Sequence, residues 1–257
     1  MTPPQPNMTV RVFSTRDALA TAVADKIIDS AATCVTNQRP FVLGLASGQS
    51  PQEIYRVLHQ RVRAKQLDLS RCIAFCLDEY YPISSLNPRS FAFQMAGTAI
   101  DLGIPLESFH FPDGHFSRDK VEYHCRQYEE MIRSVGGITL QIVGVGRSGH
   151  IGFNEPESSR HSRTRLVQLN DLTRLDAAAT FNGLRYTPKE AFTMGIETIL
   201  EAEEIALIAI GSHKAEIVHR LLNMQPSPEV PASYLQDHDH TTVYLDESAA
   251  KASPNSI

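Results

Sequence analysis

At 257 residues and 42% hydrophobic content the chain can bury one substantial core, so a single domain is expected over 1–257, with flexible tails at 1–8 and 249–257. A formal charge of −5 with no long Lys/Arg run gives no footprint for nucleic acid or an anionic membrane and points to a small-molecule partner. Cys34, Cys72, Cys76 and Cys125 form no C-x-x-C pair or zinc-type spacing, residues 1–7 hold no apolar signal core, and the longest apolar run, 205–210, cannot span a bilayer, so a cytoplasmic location is expected.

In chain order, a strand is predicted at 9–13, followed by a helix whose face is marked by Leu19, Val23, Ile27 and Ala31. A strand at 41–45 leads into a helix at 51–65, opened by Ser50 as N-cap with Pro51 in its first turn. A strand at 73–77 and a helix at 88–100 come next. Val121, Cys125, Tyr128, Ile132 and Val135 mark one face of a further helix, which Gly136-Gly137 stops. Strands at 139–145, 191–194, 205–210 and 242–245 complete the set, with a helix at 213–223. The strands are continuously apolar, as buried strands are, and they alternate with helices. That pattern predicts an α/β fold: a three-layer, Rossmann-like, mostly parallel sheet with helices on both faces.

Three loops carry chemistry. Leu43-Gly44-Leu45-Ala46-Ser47-Gly48-Gln49-Ser50-Pro51 joins a strand to a helix, and backbone N–H groups and hydroxyls at a helix N-terminus can hold a phosphate. It is not a Walker loop, because its glycines are too close together and Gln49 replaces the lysine. An ordinary strand-to-helix turn would use the same residues. Asp78-Glu79-Tyr80-Tyr81 follows a strand, at the sheet end where ligands bind in open α/β folds; one carboxylate could serve as a general base, or both could be a solvated cap.

The third loop, Gly144-Val145-Gly146-Arg147-Ser148-Gly149-His150-Ile151-Gly152-Phe153-Asn154-Glu155-Pro156, crowds four glycines, a histidine and a carboxylate behind an apolar strand. Such a composition costs entropy that a plain connector does not need. It formally matches G-x-G-x-x-G, yet Asn154-Glu155-Pro156 interrupts at once, which argues against dinucleotide binding. Lys214, in Gly211-Ser212-His213-Lys214, sits at a helix start, where a lysine opposes the helix dipole unless an anion is bound nearby. Arg160, Arg163 and Arg165 read at least as well as a solvated patch or subunit contact as they do as a site, and His238 and His240 read as surface residues.

Taken together, these segments, from about Phe41 to Asp246, resemble the glucosamine-6-phosphate deaminase (isomerase) family, which shares its fold with 6-phosphogluconolactonases. The Ser47 loop is similar to the family's phosphate loop, Leu77-Asp78-Glu79-Tyr80 to its proton-transfer segment, and Gly149 to Pro156 followed by Ser162-Arg163-Thr164-Arg165 to its signature. The resemblance implies an enzyme of amino-sugar catabolism that binds an amino sugar phosphate through Ser47, Gly48, Gln49, Ser50 and Lys214. It also implies proton transfer by Asp78, a ring-opening relay of His150 and Glu155, no metal or organic cofactor, and room for a homo-oligomer.

The chain departs from the family in several places. Ser148 stands where the family has an aspartate beside the histidine, Ala179 where it has a basic residue near the phosphate, and Val167 where regulated members carry a lysine. The chain also ends soon after Asp246, so unregulated kinetics are expected. Competing readings are a related hexosamine-phosphate isomerase, a lactonase-like hydrolase, and a sugar-phosphate sensor that has lost the full relay.

Overall fold

The computed structural model describes residues 8–251. Ten strands are formed: β1 (Thr9–Phe13), β2 (Val42–Leu45), β3 (Ile73–Cys76), β4 (Asp78–Tyr81), β5 (Phe109–His110), β6 (Leu140–Gly144), β7 (Arg165–Gln168), β8 (Glu190–Thr193), β9 (Glu204–Ala209) and β10 (Thr241–Asp246). Seven of them make one sheet in the order β1-β10-β9-β6-β2-β3-β5, with every pair parallel. β2 is buried at every position and β6 and β9 at nearly every one, although successive side chains point to opposite faces. Both faces of the sheet are therefore covered, as the continuous apolar runs predict.

Helices supply the cover: α1 (Arg16–Thr36), α2 (Gln52–Arg63), α3 (Phe91–Asp101), α4 (Val121–Ser134), α5 (Asp171–Ala177), α6 (Ile196–Leu200), α7 (Ala215–Asn223) and α8 (Glu247–Ala250). The expected faces of α1 and α4 are the buried ones, from Leu19 to Ala31 and from Cys125 to Ile132. Gly136 and Gly137 follow α4 at φ 92° and 89°, a region open to glycine without the steric cost of a side chain.

Four expectations need correction. β1 is an exposed edge strand rather than a buried one, with Val10 42% and Val12 52% exposed, because it has a neighbour on one side only. β8 does not join the parallel sheet; with β4 and β7 it forms a second, antiparallel sheet, β4-β8-β7. Ser50 does not cap α2. Pro51 takes the capping position with helical dihedrals and without a side-chain cap hydrogen bond, and Ser50 Oγ has no partner among the described residues. At the ends, Met8 is buried and Ala249 lies buried within α8, so these positions of the expected flexible tails are packed; residues 1–7 and 252–257 fall outside the described residues.

The order of the parallel sheet places a switch point between β2 and β6. From β2 the chain passes through α2 to β3 on one side, whereas the strand flanking β6 on the other side is β9. Loops at the carboxyl ends of β2 and β6 therefore diverge and leave a crevice, the place where open α/β sheets bind ligands.

Candidate active site

A cavity of about 460 Å³ occupies that crevice, a volume suited to a small metabolite. Its walls come from the loops after four adjacent strands: Ala46 to Pro51 after β2, Leu77 and Asp78 after β3, Val145, Gly146, Arg147, His150 and Gly152 after β6, and His213 and Lys214 after β9. Thr173, Asp176, Ala177 and Thr180, in and just after α5, close one side. Sequence reasoning brings the first four loops together; it does not identify the α5 segment.

The β2 loop turns at Gly48, whose φ of +90° is strained for a residue with a side chain even though the space beside it is open. Gln49, Ser50 and Pro51 follow, lining the cavity immediately before α2. Ser47 is partly committed elsewhere, since its hydroxyl donates to Asp78 Oδ1 at 2.8 Å.

Asp78 and Glu79 are not a solvated cap. They are 5% and 1% exposed, and as neighbours in β4 they face opposite sides. Glu79 turns away from the cavity, where it accepts from the backbone N–H groups of Tyr80 (2.8 Å), Phe91 (3.1 Å) and Ala92 (2.8 Å) and from Ser90 Oγ (2.6 Å). It thus anchors the start of α3, a favourable place for a carboxylate. Asp78 lines the cavity with one protein donor, Ser47. Burial pushes its pKa from 3.8 up to about 7; the Ser47 hydroxyl opposes the rise and the nearby Glu79 charge adds to it. A carboxyl group poised there exchanges protons readily near neutral pH.

The His150 ring lies over Gly146, where an added Cβ would come within 2.1 Å of Cε1 and Nε2. Gly149, at φ +86°, has Val230 so close that a Cβ would meet it at 2.7 Å. These two glycines let the loop fold tightly enough to present the imidazole. His150 Nδ1 is 2.8 Å from Ser148 Oγ, 3.4 Å from Glu155 Oε2 and 3.5 Å from Thr173 Oγ1, while Nε2 has no partner among the described residues. Ser148 therefore sits between the ring and the carboxylate, with its hydroxyl 3.4 Å from Glu155 Oε2.

Glu155 lies behind His150 rather than on the cavity wall, and borders a second cavity of about 430 Å³ with Ser158, Ser159, Arg165 and Val167. It also accepts from Asn170 Nδ2 at 2.6 Å. Burial raises its pKa, but the hydrogen bond and charge of His150, with donors from Thr173 and Asn170, outweigh burial and hold it below the usual carboxylate range. Asn170 in turn caps α5 by accepting from the Thr173 N–H at 2.7 Å, so the His150–Glu155 cluster and the α5 wall are one hydrogen-bond network.

Lys214 sits at the start of α7, and its ammonium makes no hydrogen bond or ion pair among the described residues. Burial pulls its pKa down, Asp176 pushes it up and Arg147 pulls it down, for a net lowering. The turn bearing it is fixed by Asp246, which accepts twice from the Gly211 N–H, at 3.0 and 3.1 Å, and caps α8. Arg160 pairs with Glu197 and Asp237, Arg163 with Glu201 and Glu129, and Arg165 turns inward to Asn154 Oδ1 (2.8 Å) and Ser158 Oγ (3.1 Å); none lines the main cavity. His238 is not a plain surface residue, because its ring contacts Ala202 O at 2.8 Å and Thr241 Oγ1 at 3.1 Å.

Residues 14–244 match the model of the family described as glucosamine-6-phosphate isomerases/6-phosphogluconolactonase. The chain belongs to this family. It is 40% identical over 211 residues to a glucosamine-6-phosphate deaminase of Clostridium acetobutylicum, covering 82% of this chain and 87% of that protein. Over 245 residues it is 38% identical to a glucosamine-6-phosphate deaminase of Rhodopirellula baltica, covering 94% of each. A solved monomeric glucosamine-6-phosphate deaminase superposes with a TM-score of 0.90 at 37% identity, over 95% of this chain and 99% of that one. The 6-phosphogluconolactonase of Trypanosoma brucei, at 18% identity and a TM-score of 0.77, over 95% of this chain and 97% of that one, shares the fold.

Within the family, the parallel sheet explains why the site falls where it does. Four strand ends converge on one crevice, and the antiparallel sheet holds Asp78 through the pairing of β4 with β8.

Proposed function

We propose that the protein is a glucosamine-6-phosphate deaminase, converting glucosamine 6-phosphate and water to fructose 6-phosphate and ammonia. The observation that carries this reading is Asp78: a buried carboxyl group poised near neutrality, in a cavity that also holds a histidine relay and an unpartnered lysine. Such a set suits proton transfer between adjacent carbons of a phosphorylated sugar better than it suits attack by a nucleophile.

The phosphate docks on the N–H groups of Gly48, Gln49 and Ser50, the Ser50 hydroxyl and Lys214. His150, through Nε2, moves the proton that opens the ring, and Ser148 and Glu155 hold Nδ1. Asp78, ionised, takes the proton from carbon 2 and returns it to carbon 1. The amine-bearing carbon 2 becomes an imine, and water hydrolyses it to the ketone and ammonia. Each proton-transfer group is worth ~10²–10⁴ in rate. Four unpaired, buried cysteines support a reducing compartment such as the cytoplasm.

The test is ammonia release from glucosamine 6-phosphate and galactosamine 6-phosphate, run beside hydrolysis of 6-phosphogluconolactone. Release from the gluco substrate is expected. Lactone hydrolysis without ammonia release replaces the reading with a lactonase, and tight sugar-phosphate binding with neither activity replaces it with a sensor.

A further inference from the structure

Lys214 is not the sole cation at the phosphate end of the cavity. Arg147, from the loop after β6, lines it as well, and its guanidinium grips the Asp176 carboxylate of α5 with Nε at 3.1 Å from Oδ2 and Nη2 against Oδ1. Both side chains are partly open to solvent, at 41% and 44%. The grip uses one edge of the guanidinium, and Nη1 has no partner among the described residues. Lys214 lies within electrostatic reach of both groups.

Charge balance frames the question. A phosphate monoester carries about −1.5 to −2 at neutral pH. If Arg147 were only half of a clasp with Asp176, Lys214 would meet that charge alone, aided by neutral donors. A guanidinium whose Nε edge is already aligned loses less freedom on gripping an oxyanion, and its remaining N–H groups match phosphate oxygens.

We propose that Arg147 is a second cation of the phosphate subsite, aligned for it by Asp176. This deepens the deaminase reading and rests on it for the identity of the sugar, though not for the anion. Asp176 holds the guanidinium at the cavity edge and partly offsets its charge, which keeps the phosphorylated product from binding too tightly to leave. The sequence hides this role, because Arg147 falls inside a glycine-rich loop whose histidine draws attention first.

The discriminating experiment is calorimetric titration of inorganic phosphate and of fructose 6-phosphate into wild type, Arg147→Gln, Arg147→Lys and Asp176→Asn, with thermal unfolding of each as a check on folding. Arg147→Gln should weaken both ligands roughly tenfold, and Arg147→Lys should recover part of the loss. Asp176→Asn removes the opposing charge yet keeps an amide oxygen that accepts from the guanidinium edge, so both ligands should bind as tightly as in wild type or tighter. A mere clasp between the loop and α5 would be broken equally by either change, so parallel weakening in Arg147→Gln and Asp176→Asn overturns the proposal. So does unchanged affinity in Arg147→Gln, or a wild-type protein that binds neither ligand. Because the readout is binding, absence of ammonia release would count against the deaminase reading alone.

Discussion

Replacing Asp78 by asparagine should cost activity and yield stability, and the size of the gain follows from where the carboxyl sits. Asn is nearly isosteric with the protonated acid, and its Oδ1 can still accept from Ser47. The difference between the two proteins is then the cost of holding a negative charge in a buried position beside Glu79. A rise from 3.8 to about 7 corresponds, at about 1.4 kcal/mol per decade, to about 4 kcal/mol when Asp78 is fully ionised. The sign is fixed by proton linkage. Between these two values the folded protein binds more protons than the unfolded chain, so wild-type stability falls as pH rises through this window and levels off above it. Urea unfolding of both proteins should show the advantage of Asp78→Asn growing by about 3 kcal/mol between about pH 5 and pH 8, while isomerisation falls by ~10²–10⁴. An advantage that stays constant over that range would refute the argument, since a carboxyl group titrating near its ordinary value contributes no such slope.

Three further outcomes follow from the same geometry. Lys214→Ala should raise KM for the sugar phosphate roughly tenfold to hundredfold, with a smaller change in kcat, because a charge-assisted bond to phosphate is lost; an unchanged KM removes Lys214 from the site. Ser148→Asp places a carboxylate against His150 Nδ1 and favours the protonated imidazole, so turnover should rise or the pH optimum move upward, as a pH–rate profile will register. Gly146→Ala drives a methyl group into the His150 ring and should lower kcat about a hundredfold in a protein that still folds by circular dichroism; wild-type turnover would show that the ring does not need its observed seat.

The interior strands of the parallel sheet are legible because they are buried on both faces, so apolar runs such as Ile205 to Ala209 announce them, and the loops that end these strands announce the site. The antiparallel sheet is not. β4 reads Asp-Glu-Tyr-Tyr, and a strand opening on two carboxylates contradicts the usual composition of strands. It persists because tertiary partners outweigh local preference. β7, with its partly exposed Arg-Leu-Val-Gln, carries no apolar run to mark it.

The same distinction between local signal and distant partner governs the site. His150, Glu155 and Asp78 stand next to glycines or strand ends and were visible. Asn170, Thr173, Asp176 and Asp246 act through contacts with residues 15 or more positions away, to Glu155, His150, Arg147 and Gly211. Within Asp78-Glu79 the division of labour also depends on the fold: one side of β4 offers four donors and the other offers one. Burial is the largest influence on each and raises both pKa values, but four donors oppose it at Glu79 and a single one, Ser47, at Asp78. A pair that looks symmetrical in sequence is thereby separated into an anchor for α3 and a cavity carboxyl group poised near neutrality, and exchanging their surroundings, rather than their identities, is what would exchange these states.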